Sequence, residues 1–311
     1  MLTSLPDISI IVCTRNRAHK LLNTLDSLAS AIANVKNLQV EAVIVNNGST
    51  DNTQAIIDTW SKTVSFPVQA VLEAKPGLSR ARNQGILHSK GELIVFTDDD
   101  CLMNDDYLIC LRDWMNENQP HGICGGMVQL GDVTDLPFSI LVRQEKQRLH
   151  NPMYPSGFII GANMVFPRIV LETIGNFDER FGAGAIFRAG EESDLIYRAY
   201  RAGITVDYLP DLIVRHFHGR KEKTDIRRIS HDYFLGAGAM YAKHITDKFL
   251  LRHFYWDFKN YLNGIFNKDV IVDKQLGITY GRMLQIQIAG MAFYFWVWLC
   301  SFLFNPFKAN D

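Results

Sequence analysis

Three adjacent carboxylates, Asp98, Asp99 and Asp100, close the run IVFTDDDC at residues 94–101. The residues before them are apolar enough for a buried strand. Two such charges about 5 Å apart repel by roughly 3 kcal/mol at an effective dielectric near 20. The triplet is therefore either well solvated or neutralised by a cation. Asp98 and Asp100 stand two residues apart, and in an extended chain that spacing places both on one side. Two carboxylates on one side make a seat for Mg or Mn, ions that favour oxygen ligands and leave room for phosphate.

A second acidic group lies in GEESDL, residues 190–195. Glu191 and Glu192 open a predicted helix and Asp194 sits just inside it. The helix dipole alone favours acids there, by ~0.3–1 kcal/mol each. A carboxylate at a rigid helix start is also well placed as a general base. Upstream, Gly182 to Gly190 reads as a flexible loop able to close over a substrate. RHFHGRK, residues 215–221, offers His216 or His218 as a further metal ligand, and Arg215 or Arg220 for a leaving diphosphate. GLSRARNQG, residues 77–85, places Arg80, Arg82 and Asn83 on a helix, for diphosphate or ribose contact or simply as a solvated face.

The elements that must position these groups alternate. DISIIVCT (7–14), VEAVIVN (40–46), VQAVLE (68–73) and ELIVFT (92–97) read as buried strands. Between them, residues 18–33, a short stretch after Ser49 to Asp51, and residues 78–89 have helical spacing. Strands alternating with helices imply a mainly parallel sheet flanked by helices. In such sheets ligands sit beyond the carboxyl ends of the strands, where CTRN, VNNGS, LEAKPG and TDDDC all fall. Past residue 120 the pattern loosens: a strand at GICGGMVQL, a strand and short helix over 155–181, a helix at 189–203, and one or two strands over 206–220. From about residue 222 the chain reads as helical, aromatic and basic.

Composition narrows the function classes. Among 311 residues the net charge is −1, which gives no footprint for nucleic acid. Five cysteines without a CxxC pair argue against a disulfide framework and a structural zinc site, and fit a reducing compartment. The first residues do not read as a signal peptide. Ile286 to Phe304 carries no charge; as a helix it is about 28 Å long, near the ~30 Å hydrocarbon core, and either a membrane or a protein core would suit it. A dehalogenase-type phosphatase carries its acids after the first strand, which here ends in VCTRN. No GxxxxGK[ST] is present, and GAGAIF and GAGAMY fall short of GxGxxG.

Together, SIIVCTRNR, VNNGSTD, GLSRARNQGI, GELIVFTDDDC, GNFDERF and GEESDL resemble the family 2 glycosyltransferases over about residues 7–220. The resemblance implies a GT-A fold, a nucleotide-sugar donor, UDP-linked as a first guess, and inversion at the anomeric carbon. It implies nucleobase contacts from Thr14 and Asn47, and donor contacts from Arg82 and Asn83. Asp98 and Asp100 would serve ribose and a divalent metal, with His216 on the metal side. Glu192 would be the catalytic base, with Glu191 as its alternate. The family often has VDDGS where this chain has Asn46 and Asn47, and Asp where it has Glu192.

The expected organisation is a GT-A α/β domain over 1–221, a helical region over 222–283, and an apolar membrane-associated or transmembrane helix over 284–305. Expected partners are a nucleotide-sugar donor, a saccharide or lipid-linked acceptor and the cytoplasmic face of a membrane, with no nucleic acid. A nucleotidyltransferase of related fold, or a non-catalytic sugar-nucleotide binder, is the alternative.

Overall fold

The structure, a computed structural model, describes residues 5–118, 121–151, 153–266, 271–273 and 276–304. Residues up to Glu179, with Glu191–Lys221, form one compact unit; Arg180–Gly190 and the residues from Glu222 onward form another.

The first unit begins with three strand–helix pairs and a fourth strand: β1 (Ile8–Thr14), α1 (Leu21–Asn34), β2 (Val40–Asn46), α2 (Thr53–Trp60), β3 (Val68–Leu72), α3 (Leu78–His88) and β4 (Leu93–Asp98). It continues through β5 (Cys101–Met103), α4 (Tyr107–Asn118), β6 (Ile123–Leu130), β7 (Gln147–Arg148), β8 (Asn163–Pro167), α5 (Ile169–Ile174), α6 (Glu191–Arg201) and β9 (Val206–His216). The strands form one sheet in the order β3-β2-β1-β4-β8-β6-β9-β5, with β7 on β9. β3, β2, β1 and β4 are mutually parallel, as are β6 and β9, whereas β8 runs antiparallel to both its neighbours. This is the mainly parallel α/β sheet that the alternating pattern predicts.

The strand period of two sorts the core. Ile8, Ile10 and Val12 of β1 join Ala42 and Ile44 of β2 and Leu93 and Val95 of β4 on one face, under α1, α2 and α4. Ile11, Val43, Val45, Ile94 and Phe96 point to the other face, against residues of α3, α5 and α6. Both faces are covered, so these strands are mostly apolar, and among the buried exceptions Ser9 donates a hydrogen bond to Glu41 at 2.6 Å. Their carboxyl ends deliver Thr14, Asn47 and Asp98 to a single edge.

In one respect the triplet departs from expectation. β4 ends at Asp98, Asp99 and Asp100 form a turn, and β5 starts at Cys101. Asp98 and Asp100 are therefore not on one side of an extended strand; the turn, not the strand period, sets their directions.

The second unit holds α7 (Lys223–Lys243), α8 (Lys248–Phe266), the hairpin β10 (Ile271–Asp273) and β11 (Ile278–Thr279), and α9 (Tyr280–Phe304). The segment read as a flexible loop is packed here. Phe181 and Phe187 are fully buried, and the Phe187 ring lies 5.7 Å from Phe293 and 5.3 Å from Tyr294 of α9.

Candidate functional site

The repulsion within the acid triplet is met by cationic side chains. Arg17, three residues beyond β1, lies 3.4 Å from Asp99 and 3.3 Å from Asp100. His216, the last residue of β9, places Nε2 3.1 Å from Asp100 Oδ1. Arg82 of α3 lies 3.6 Å from Asp98. Asp98 is the open member, with 37% of its side chain exposed, while Asp99 and Asp100 are buried.

These pairings split the acids electrostatically. Burial pushes Asp99 up to about 7, although Arg17 opposes it. Burial also acts on Asp100, but the hydrogen bond and charge of His216, with help from Arg17, outweigh it and hold Asp100 at about 2. Asp100 is thus the firmly ionised member. In His216, burial works against the charged form, and the Asp100 hydrogen bond and charge overcome it, so its pKa rises. Its Nδ1 meets the Ser139 carbonyl at 3.3 Å, which fixes the ring with Nε2 toward the acid.

Asp100, Cys101 and His216 bring one ligand atom each within 4.8 Å of one another, an arrangement able to hold a metal ion. Asp98 stands outside this group, beside Arg82. A carboxylate and an imidazole suit Mg or Mn. Burial, followed by the charge of Asp98, raises the Cys101 thiol well above its usual range, so it stays a neutral and poor partner for a hard cation. The donor set fits a divalent ion through Asp100 and His216, with Asp98 within reach of a ligand on the open side.

The second acidic group converges on the same edge. Arg82 is buried, lies over the rings of Phe96 and Phe177 at 5.5 and 5.4 Å, and donates from Nη1 to Glu191 Oε1 at 3.1 Å. Its other amino group faces Asp98. Gly161 makes room for it: a Cβ there would fall 2.7 Å from Nη2. Glu191 and Glu192 occupy the first turn of α6, where the helix dipole favours acids. With Glu191 held by Arg82, Glu192 carries the remaining strain: burial, then the charge of Glu191, pushes it up to about 8. A carboxyl poised there exchanges protons near neutral pH.

Two expected donor contacts are otherwise engaged. Asn47 donates both amide hydrogens, to the carbonyls of Glu73 (3.2 Å) and Lys75 (2.7 Å), and accepts from the Gly77 amide (2.9 Å). Asn83 forms a reciprocal pair with the backbone of Phe177, donating at 2.9 Å and accepting at 3.1 Å. Their amides brace the loops before α3 and after α5. Thr14 is buried at the end of β1, and its carbonyl accepts from the Asn47 amide. His218 places Nδ1 3.5 Å from Asp135, and its ring packs edge-on against His216 at 5.1 Å. Sequence reasoning missed Arg17 and Cys101. The signal for Arg17 was a cation just past the first strand, at the ligand edge; Cys101 simply follows the triplet.

A family model described as glycosyl transferase family 2 matches residues 9–175. The glycosyltransferase AglE of Haloferax volcanii is 29% identical over 108 residues, 35% of this chain and 35% of that protein. The poly-beta-1,6-N-acetyl-D-glucosamine synthase of Staphylococcus epidermidis is 25% identical over 178 residues, 55% of this chain and 42% of that protein. The chain thus matches less than half the length of either relative. The mannosyltransferase PcManGT from Pyrobaculum calidifontis, solved with GDP-Man and Mn2+, shares the fold with a TM-score of 0.60 at 20% identity, over 98% of this chain and 83% of that one. S. aureus TarS 1-349 with UDP-GlcNAc gives 0.55 at 18% identity, over 92% and 81%.

Proposed function

Because the chain belongs to glycosyl transferase family 2, we propose that it is an inverting, metal-dependent glycosyltransferase. It moves a sugar from a nucleoside-diphosphate donor, UDP-linked, to an acceptor hydroxyl in cell-surface polysaccharide or glycolipid synthesis. The acceptor is a saccharide or lipid-linked sugar at the cytoplasmic face of a membrane. The observation that carries the reading is the bridge from Asp98 through Arg82 to Glu191, beside the protonatable Glu192.

Asp100 and His216 would hold the divalent ion, and Asp98, the exposed member of the triplet, would face the donor. A bound Mg or Mn ion supplies charge neutralisation at the departing diphosphate. Glu192 takes the proton of the acceptor hydroxyl, whose oxygen attacks the anomeric carbon from the face opposite the leaving group. Arg82 holds Glu191 in place through their ion pair, and the charge of Glu191 makes Glu192 a stronger base. Arg17 and Arg82 limit the repulsion that the donor phosphates meet at the triplet. Thr14 lines the base-binding edge, and Asn47 and Asn83 act by holding the loops around the donor.

The test is a panel of nucleotide sugars assayed for metal-dependent thermal stabilisation, followed by transfer assays on Glu192→Gln and Asp100→Ala. A metal-dependent shift with one donor class, and loss of transfer in both variants, is expected. A panel without any metal-dependent shift overturns the reading.

A further inference from the structure

The second unit carries two adjacent helices with continuous exposed apolar stripes. On α8 these are Leu251, Tyr255, Phe258, Leu262 and Ile265, repeating every three or four residues on one helical face, each 37–60% exposed. The adjoining flank of α8, where Leu250 is buried, holds the helix in the unit. Phe254 packs on Tyr241 at 5.4 Å, and Asp257 accepts from Tyr241 (3.3 Å) and from Gln287 of α9 (3.1 Å). On α9 a second stripe runs through Ile288, Phe295, Trp296, Leu299, Phe302 and Leu303, all exposed.

Two features of α9 bear on how it meets a bilayer. By length and composition it is long and apolar enough to cross a membrane. Its first half, however, is locked to α7. A Cβ on Gly238 would fall 2.0 Å from the Gln287 carbonyl, and one on Gly290 would fall 2.2 Å from the Leu235 carbonyl. Phe293 and Tyr294 are held by Phe187. Beyond Tyr294 the described helix has ten residues, about 15 Å of rise, against a hydrocarbon core of ~30 Å.

Charge identifies the occupant of this floor. Lys248, Lys259 and Arg282 are exposed beside the stripes, and Lys259 lies 4.7 Å over the Trp256 ring. The single acid within α8 and α9, Asp257, is turned inward to Tyr241 and Gln287. Exposed Trp and Tyr at an apolar surface rimmed by cations are the chemistry of a lipid headgroup boundary, and the sign matches anionic lipid. A second copy of the chain would bring the same cations against themselves.

We propose that α8 and α9 seat the second unit on an anionic bilayer, both helices lying in the interface and neither described helix crossing it. The inference deepens the membrane part of the function proposed above and is independent of the transfer chemistry.

The experiment floats the full chain with phosphatidylcholine vesicles, with and without phosphatidylglycerol. Binding that requires phosphatidylglycerol, falls with added salt and weakens about tenfold or more in Phe258→Ser/Leu262→Ser is expected. Both positions are exposed, so the variant should melt like the parent. Lipids brominated at set depths then report tryptophan position through the signal lost in Trp256→Phe and in Trp298→Phe. Shallow quenching of both supports the in-plane seat. Quenching of Trp298 best at the bilayer centre, undiminished flotation of the α8 variant, or concentration-dependent dimers that ignore vesicles would each overturn it. Donor turnover by the same sample without vesicles separates this outcome from failure of the transferase reading.

Discussion

Arg82 and Glu191, 109 residues apart in sequence, meet at 3.1 Å in a buried ion pair whose guanidinium also faces Asp98. One side chain therefore couples the end of β4 to the start of α6. A lysine ammonium is a point charge and cannot address both acids in a fork. Arg82→Lys should fold but lose transfer activity, with kcat more affected than the KM for donor. Arg82→Ala leaves Glu191 buried without its partner, which costs on the order of 3–5 kcal/mol of stability. The Asp98 contact adds little to that figure, because Asp98 is over a third exposed. Urea unfolding of both variants checks the energetics. Unchanged midpoints would remove the bridge from the account.

Glu192 gives the site a pH signature. Its folded pKa, about 8, lies above the 4.5 of a free glutamate. The protonated form is thus preferred on folding. The stability it contributes is complete below pH 4.5 and disappears as pH rises through about 8. Glu192→Gln does not titrate, so the variant should gain on the parent in stability as pH rises through this window. Activity should move the other way, since a base must be ionised. Parent kcat/KM for acceptor is expected to climb to a plateau above about pH 8. A profile flat from acid to alkaline pH would show that another group is the base.

The neighbours of Asp100 distinguish ligands from bystanders. His216→Ala removes an imidazole hydrogen-bonded to a firmly ionised carboxylate. Half-saturation by Mn in a transfer assay should rise about 10–100-fold or more. Cys101→Ser should alter it little, because the buried thiol stays protonated and binds hard cations poorly. At lower pH, protons compete with the ion for His216, so the parent should need more Mn as pH falls. Equal effects of the two substitutions would reverse the assignment.

How much of this was legible in the sequence follows from which interactions are local. Strands such as Val40–Asn46 were readable because both their faces are buried, which makes them predominantly apolar, with Glu41 the exception inside this one. The acids of α6 were readable because helix starts favour them. β5 and β7, with three and two residues, are too short to carry a period. The β10–β11 hairpin was likewise lost in a stretch read as helical. The partners of Asn47, Asn83 and Arg17 come from segments 26 to 94 residues away, and no local pattern encodes them. The i, i+2 argument for Asp98 and Asp100 failed for a similar reason, since β5 pairs with β9 and turns the chain at Asp99.

Asn47 shows why a family pattern does not transfer residue by residue. The family resemblance sets aspartate at this position, so Asn47→Asp restores the pattern that the resemblance implies. Here the amide donates to two carbonyls and accepts from one N–H. A carboxylate retains the acceptor, loses both donors and sets a negative charge against the carbonyls of Glu73 and Lys75. The site is buried, so the cost should be about 1–3 kcal/mol. Asn83→Ala, which strands the Phe177 N–H and carbonyl, should cost a similar amount. Both variants should retain nucleotide preference while the melting temperature falls. A donor KM that changes with the nucleobase, at unchanged stability, would instead return Asn47 to direct base recognition.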